Sequence, residues 1–248
     1  MQRIGIPFKI IDSVDSTNRL ALEEGQEERS ASGSVFFALE QTAGKGQRGR
    51  TWASEPGLNI MMSVLLEPDG LEHAGLFGLS CAAALAATDL FGRHAGEETA
   101  IKWPNDIYWR DRKAGGILIE NSMRGSEWRR SVIGFGININ QTVFETDLPN
   151  PVSLRQITGK TFDPIALARE LCTALELRLG QLAETGLTPL LGSYEERLYG
   201  RGRCFRFRKG DTTFAAVVQG VDAEGRLITE NGQVQRHRFG DISWLGPV

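Results

Sequence analysis

Lys45, Arg48 and Arg50 are interleaved with Gly44, Gly46 and Gly49 in the stretch AGKGQRGRTW, residues 43–52, a mixture suited to holding an anion. Glycine lets a backbone approach a ligand closely, arginine offers forked donors to a phosphate, and Trp52 adds an aromatic plane. Gly44 to Thr51 nearly spells a phosphate-binding P-loop: the G-x-x-x-x-G spacing is met and Thr51 stands at the hydroxyl position, but Arg50 replaces the lysine. A P-loop also needs a helix directly after it, whereas WASEPGLN follows here and Pro56 and Gly57 break any helix within two turns. What survives is a glycine-rich cationic loop between two strands, a composition that a merely solvated loop shares.

Lys102-Trp103-Pro104-Asn105-Asp106 is a second dense cluster, with ammonium, indole, amide and carboxylate around a proline that fits a strand edge or bulge. Lys113 opens the segment KAGGILIE, whose Gly115 and Gly116 leave room for a ligand against the backbone. A further glycine pair, Gly134 and Gly136, precedes Asn138 and Asn140. Each cluster alone also fits antiparallel turns with surface lysines.

The elements that must carry these residues are readable from periodicity. Ile4 to Val14 reads as a first strand, Asp15-Ser16-Thr17-Asn18 offers N-caps for a helix ending at Gly25, and Val35 to Leu39 leads into the glycine-arginine loop. Leu58 to Pro68 is a near-continuous apolar run, expected as a strand buried on both faces, and Ala74 to Phe91 as a buried helix. Three β-type segments follow from Thr99, with connections too short for crossover helices, so the sheet is expected to be mainly antiparallel. Helices are predicted over Phe162 to Glu184 and Leu190 to Leu198. After Gly200 the β segments CFRFR, TFAAVVQGV, RLITE and VQRHRF alternate with turn signals, including Asn231-Gly232, and imply a small β-barrel appendage. The class is α+β: a mixed, mainly antiparallel sheet with helices on one side, over 1–199, plus a C-terminal β domain over 200–248.

Bulk properties narrow the options. The net charge of -3, from 28 basic and 31 acidic residues, supplies no global field for nucleic acid, so no DNA partner is expected. No export signal opens the chain, and the Ala74 to Phe91 window is rich in alanine and glycine with Asp89 near its end, so no membrane partner is expected. Cys81, Cys172 and Cys204 are widely spaced and odd in number, as for reduced cytoplasmic thiols, with Cys81 and Cys172 as core fillers. His73, His94 and His237 form no metal-ligand pattern and are expected in surface or loop positions; no protein metal site is expected.

Together the clusters resemble the biotin protein ligase family. The stretches that carry the resemblance are DSTN at 15–18, QTAGKGQRGRTW at 41–52, KWPND at 102–106, RKAGGILIE at 112–120 and GFGININ at 134–140. It spans nearly the whole chain, small C-terminal β domain included, and implies a catalytic domain like those of class II aminoacyl-tRNA synthetases followed by an SH3-like β-barrel. Without room for the N-terminal helix-turn-helix of repressor-type members, the sequence resembles the ligase-only form. The resemblance implies that biotin and MgATP give biotinyl-5'-adenylate and pyrophosphate, after which a lysine of a biotin carboxyl carrier domain attacks the mixed anhydride. Magnesium would come with ATP.

The motif match places Ser16, Thr17, Gln41 and Gly44 at the biotin head group, with Gly116 and Gly134 giving clearance for ring and chain. Arg48 and Arg50 would meet phosphates, Trp52 would pack near the adenine, Asn138 would face the nucleotide, and Asp106 would sit by the nucleotide or its metal. The same motifs add Asn18, Lys45, Gly46, Lys102, Asn105 and Gly136 to the substrate-binding set. For the chemical step Lys113 has a physical rationale of its own. Carboxylate attack on the α-phosphorus concentrates negative charge on nonbridging oxygens, and a fixed ammonium stabilises that state more than the ground state. No general base is required, since a carboxylate is ionised at neutral pH. Lys113, Arg48, Arg50 and Asp106 form the expected catalytic set. Gln47 departs from the family's common G-R-G-R-R-G-R loop, and a neutral amide there is expected to hold the adenylate less strongly. A lipoate ligase on a related fold, or a noncatalytic module binding a biotinyl nucleotide, is the alternative; a homodimer through the central sheet is left open.

Overall fold

The computed structural model describes residues 3–71, 74–125, 127–145 and 150–248, with the Arg48 side chain and His73 lying outside the described residues. Strand β1 (Phe8–Val14), helix α1 (Thr17–Gln26), β2 (Val35–Gln41), β3 (Ile60–Leu66), α2 (Gly75–Ala95), β4 (Thr99–Lys102), β5 (Asp106–Trp109), β6 (Arg112–Arg124) and β7 (Glu127–Ile137) come first. Helices α3 (Leu154–Thr158), α4 (Pro164–Thr185) and α5 (Leu187–Glu196) follow. Strands β8 (Cys204–Lys209), β9 (Thr212–Val221), β10 (Leu227–Glu230), β11 (Val234–His237) and β12 (Ser243–Pro247) close the chain.

Seven strands form one sheet in the order β1-β2-β3-β7-β6-β5-β4, with β1 and β2 parallel and every other pair antiparallel, as the short connections predict. β3 is buried along its whole length because both faces are covered. Ile60, Met62, Val64 and Leu66 join the main core with α2 and α4, whereas Leu65 joins Ala21, Phe36 and Val132 beneath α1. The segregation of helices to one face therefore holds for α2, α4 and α5, and α1 lies on the other. That second face carries the candidate site.

Helix α2 is long and apolar enough to cross a membrane by composition, yet its alanines are buried in the main core, where small side chains let it pack closely on α4. Cys81 and Cys172 fill that core, and burial pushes the Cys172 thiol up to about 12. Asp163 caps α4 by accepting from the Ile165 and Ala166 amides, with Pro164 in the first turn where its missing N–H costs nothing. β1 starts later than expected, after Pro7 and a Gly5 whose φ of 91° is left-handed.

The second sheet runs β11-β10-β9-β8-β12, all antiparallel. β12 is an addition to the four expected segments; its Gly246 and Pro247 hide the alternating pattern of a strand. His237 is a correction: it lies buried on β11 with Nε2 2.8 Å from Thr229 Oγ1, and burial lowers its pKa. The two sheets are joined through 197–204. There Leu198 makes a parallel bridge to Ile101 and so covers the free edge of β4. Glu195 of α5 accepts the Val221 amide at 2.9 Å, and Gly225 lies against Phe77, which an added Cβ would meet at 2.6 Å.

Candidate active site

Residues paired across an antiparallel ladder project to the same face. Met61 pairs with Gly136, Gly136 with Gly116, Gly116 with Asp106 and Asp106 with Lys102, a single row across five strands. Two glycines in mid-row leave a trough in the sheet surface. It forms the floor of a cavity of about 650 Å³, large enough for a drug-sized ligand.

Lys113 reaches this trough only because β6 is irregular. Gly116 and Lys113 are an odd number of positions apart, and regular alternation would point them to opposite faces. The register between β5 and β6 shifts after Ile107, so Tyr108 pairs with Lys113 and Ala114 is the extra residue. This bulge sends Ala114 into the helical core and returns Lys113 to the trough. Lys113 Nζ is 2.7 Å from Asp106 Oδ1, and a Cβ on Gly116 would meet those atoms at 3.4 and 3.2 Å. The Lys113 backbone is held by residues 150–152: its amide donates to Asn150 O at 3.0 Å and its carbonyl accepts from Val152 N at 2.8 Å. Asn138, also on the wall, donates to Val152 O at 3.2 Å.

Over the trough hangs the cationic loop, as a small flap between β2 and β3. Lys45 and Thr51 form an antiparallel bridge, a 3₁₀ turn at Gln47–Gly49 makes the tip, and the Gly46 amide donates to Arg50 O at 2.6 Å. Gly44 is required at the base, because a Cβ there would stand 2.5 Å from Trp52 O; it lies behind the cavity wall and not on it. Lys45, Gly46, Gln47, Arg50 and Trp52 line the cavity. Among the described residues Lys45 and Arg50 make no ion pair, so their charge is available to a ligand. The Trp52 ring lies over Gly136, where a Cβ would meet it at 2.6 Å, and its buried Nε1 has no protein partner. The clearance at Gly136 is thus filled by the chain's own indole, and that at Gly134 by Asn18.

The far end of the cavity is neutral and polar. Gln41 Oε1 accepts from the Thr17 amide at 2.8 Å and its hydroxyl at 3.0 Å. Ser63 Oγ lies 2.7 Å from Thr17 Oγ1 and 2.6 Å from Asn18 Oδ1, and Asn18 donates to Glu120 Oε2 at 2.7 Å. These bonds fix Thr17 and Asn18 at the start of α1, where with Ser16 they line the cavity.

Two expected contact residues go elsewhere. The Asn105 amide donates to Ile117 O at 2.5 Å beneath the sheet surface. Lys102 Nζ donates to Tyr108 Oη at 3.1 Å and lies over the rings of Tyr108, Trp244 and Tyr199 at 4.6, 5.5 and 5.8 Å. Burial in that aromatic surround lowers its pKa, and the charge of Asp106 opposes the shift. Neither side chain lines the cavity. Pro104 sits in the turn joining β4 to β5, where one strand was expected. Sequence reasoning missed Ser63, Phe144, Glu145 and Pro151; Ser63 lies inside an apolar run, and the other three belong to a loop with no patterned residue types.

A cavity with neutral hydrogen-bonding groups at one end, an ammonium–carboxylate pair at the other and free cations above can bind an uncharged polar head and a polyanion at once. A sequence model of the biotin/lipoate A/B protein ligase family matches residues 10–138. The biotin–[acetyl-CoA-carboxylase] ligase of Paracoccus denitrificans is 34% identical over 221 residues, 86% of this chain and 90% of its own. The bifunctional ligase/repressor BirA of Bacillus subtilis is 32% identical over 227 residues, 90% of this chain and 69% of its own. The solved structure of the Aquifex aeolicus biotin protein ligase with biotin and ATP superposes with a TM-score of 0.82 over 99% of this chain and 100% of its own. At 23% identity that likeness concerns the fold.

Proposed function

This chain belongs to the biotin/lipoate A/B protein ligase family, and from that premise we propose that it joins biotin to protein in two steps at the trough described above. Biotin is first activated by ATP as biotinyl-5'-AMP, and the acyl group then passes to a lysine of a biotin carboxyl carrier domain. The relatives' names support biotin as the acid and a carboxylase carrier as the acceptor. In this reading 1–199 is the catalytic unit and 200–248 a C-terminal β unit, and the protein works in the cytoplasm, with no DNA partner and an option of homodimer formation.

The observation that carries the mechanism is the Lys113–Asp106 pair at the charged end of a cavity whose other end is neutral. The biotin head group enters the end made by Ser16, Thr17, Asn18 and Gln41, so its carboxylate runs along the floor at Gly116 toward Lys113. MgATP binds beneath the flap, its adenine near Trp52 and Asn138 and its phosphates facing Lys45, Arg48 and Arg50. Asp106 would hold the magnesium that accompanies ATP, and Lys113 would face the α-phosphate. The biotin carboxylate oxygen bonds to the α-phosphorus, the bond from that phosphorus to the bridging oxygen breaks, and pyrophosphate leaves with its magnesium. Lys113 stabilises the charge that builds on the nonbridging oxygens. In the second step the neutral amine of the acceptor lysine attacks the acyl carbon, AMP leaves, and the amide nitrogen loses a proton.

The test is incubation with MgATP and either biotin or lipoate, following pyrophosphate exchange and the mass of an added carrier domain. Exchange and a biotinyl mass increment on one lysine are the expected result. Exchange with lipoate alone, or binding without exchange, would remove this function.

A further inference from the structure

Of the five residues in the β4–β5 turn, only Asp106 reaches the cavity; the other four are gripped from behind. Trp103 donates from Nε1 to Gly225 O at 3.0 Å and meets the Phe239 ring edge-on at 6.0 Å, both from loops between strands of the C-terminal sheet. Pro104 O accepts from Tyr194 Oη at 2.7 Å, and Asn105 is tied to Ile117. Lys102 is the most telling member. Its half-buried ammonium is given one hydroxyl and three ring faces, and two of those rings, Tyr199 of the connector and Trp244 of β12, stand outside the sheet that carries Lys102. A half-buried cation so placed is stabilised by the ring quadrupoles only while the rings stay in position, so it locks the two units to one another. Lys102 also pairs across the strand with Asp106, next to the carboxylate that holds Lys113.

We propose that Lys102 is a positioning residue: clasped by Tyr108, Tyr199 and Trp244, it transmits the placement of the C-terminal β unit to Asp106 and through it to the Lys113 ammonium. It touches no substrate. The C-terminal unit thereby becomes a determinant of the adenylation rate through geometry alone, a role that rests on the function proposed above. The clasp also accounts for a lysine conspicuous in the sequence beside Asp106 yet absent from the cavity wall.

The experiment uses full-length chain with isotope-labelled lysine side chains and compares wild type with Lys102→Met, Lys102→Arg and Trp244→Ala. The Lys113 ammonium resonance is expected to move in Lys102→Met and Trp244→Ala. In both, the kcat for biotin-dependent pyrophosphate exchange falls roughly 10- to 100-fold, the cost of a small misplacement at the reacting atoms. The Kd for biotin alone stays within about twofold, since the neutral end of the cavity is untouched. Lys102→Arg restores most of kcat because a guanidinium also sits on aromatic faces. Adding Lys102→Met to Asp106→Asn brings no further loss if the two act as one unit. An unmoved Lys113 signal in folded Lys102→Met, or a full additional loss on the Asp106→Asn background, overturns the proposal. Wild type that exchanges no pyrophosphate with biotin would sink the ligase function instead, while the Lys113 signal still decides the positioning role.

Discussion

The flap at 44–52 and the turn at 102–106 are built from similar residues, each with at least one cation and a tryptophan, and are wired in opposite ways. Among its described residues the flap is bonded mostly to itself: the one side-chain hydrogen bond to the sheet is the 3.5 Å contact from Gln47 Nε2 to Ile117 O, and Lys45 and Arg50 are exposed. In the turn, Trp103 and Asn105 are buried and every side chain but that of Pro104 has a directed partner. A transferred acyl phosphate needs both kinds of part, a fixed charge where the transition state forms and a cover that can admit two substrates in turn. Residue type marks a place as chemically capable; the wiring decides whether it holds substrate or holds the site.

The contrast can be broken at four points. Trp103→Ala should cost about 3–5 kcal/mol of stability as a buried indole is lost, read as a lower urea midpoint; a loss under about 1 kcal/mol would mean that the turn is no more rooted than the flap. Lys113→Ala should slow adenylation roughly 10²- to 10³-fold with little change in stability, measured by pyrophosphate exchange. Wild-type exchange in that variant would take the chemical step away from the Lys113–Asp106 pair. On the flap, Arg50→Ala should reduce kcat/KM for MgATP roughly 10-fold or somewhat more, as for one charged hydrogen bond, while the unfolding free energy from urea titration shifts by less than about 0.5 kcal/mol. A destabilised Arg50→Ala would show that the flap is structural after all. The smallest effect belongs to Gln47→Arg, where a restored cation should slow adenylate release a few-fold, about the worth of one exposed charge contact; equal release rates would show that Gln47 is no weakness.

Much of this was legible in local patterns. β3, the antiparallel order, the alanine-rich helix and the hairpin at Asn231-Gly232 are properties of short windows, and so are the glycines of the trough. What escaped depends on pairings between distant segments. The face taken by α1 is set by how Ala21 and Leu65 meet, and the fate of Lys102 by Trp244, far along the chain. His237 looks like a loop residue until β10 and β11 pair and bury it against Thr229. Lys113 was found by its chemistry, but nothing in RKAGGILIE announces the register shift that aims it, because a bulge exists only relative to the neighbouring strand.

That extra residue at Ala114 has a consequence for how the segment can drift over time. Between Trp109 and Gly116 side chains are exchangeable within the usual limits, but the bulge is not. Straightening the strand with its residue count unchanged would restore strict alternation over the three steps from Gly116, turn the Lys113 ammonium into the layer of Ile101 and Ile107, and leave it there without a counter-charge. A change that draws Ala114 into the ladder is barred here even where other substitutions pass, so the kink of this strand is as much a part of the reaction as the lysine it aims.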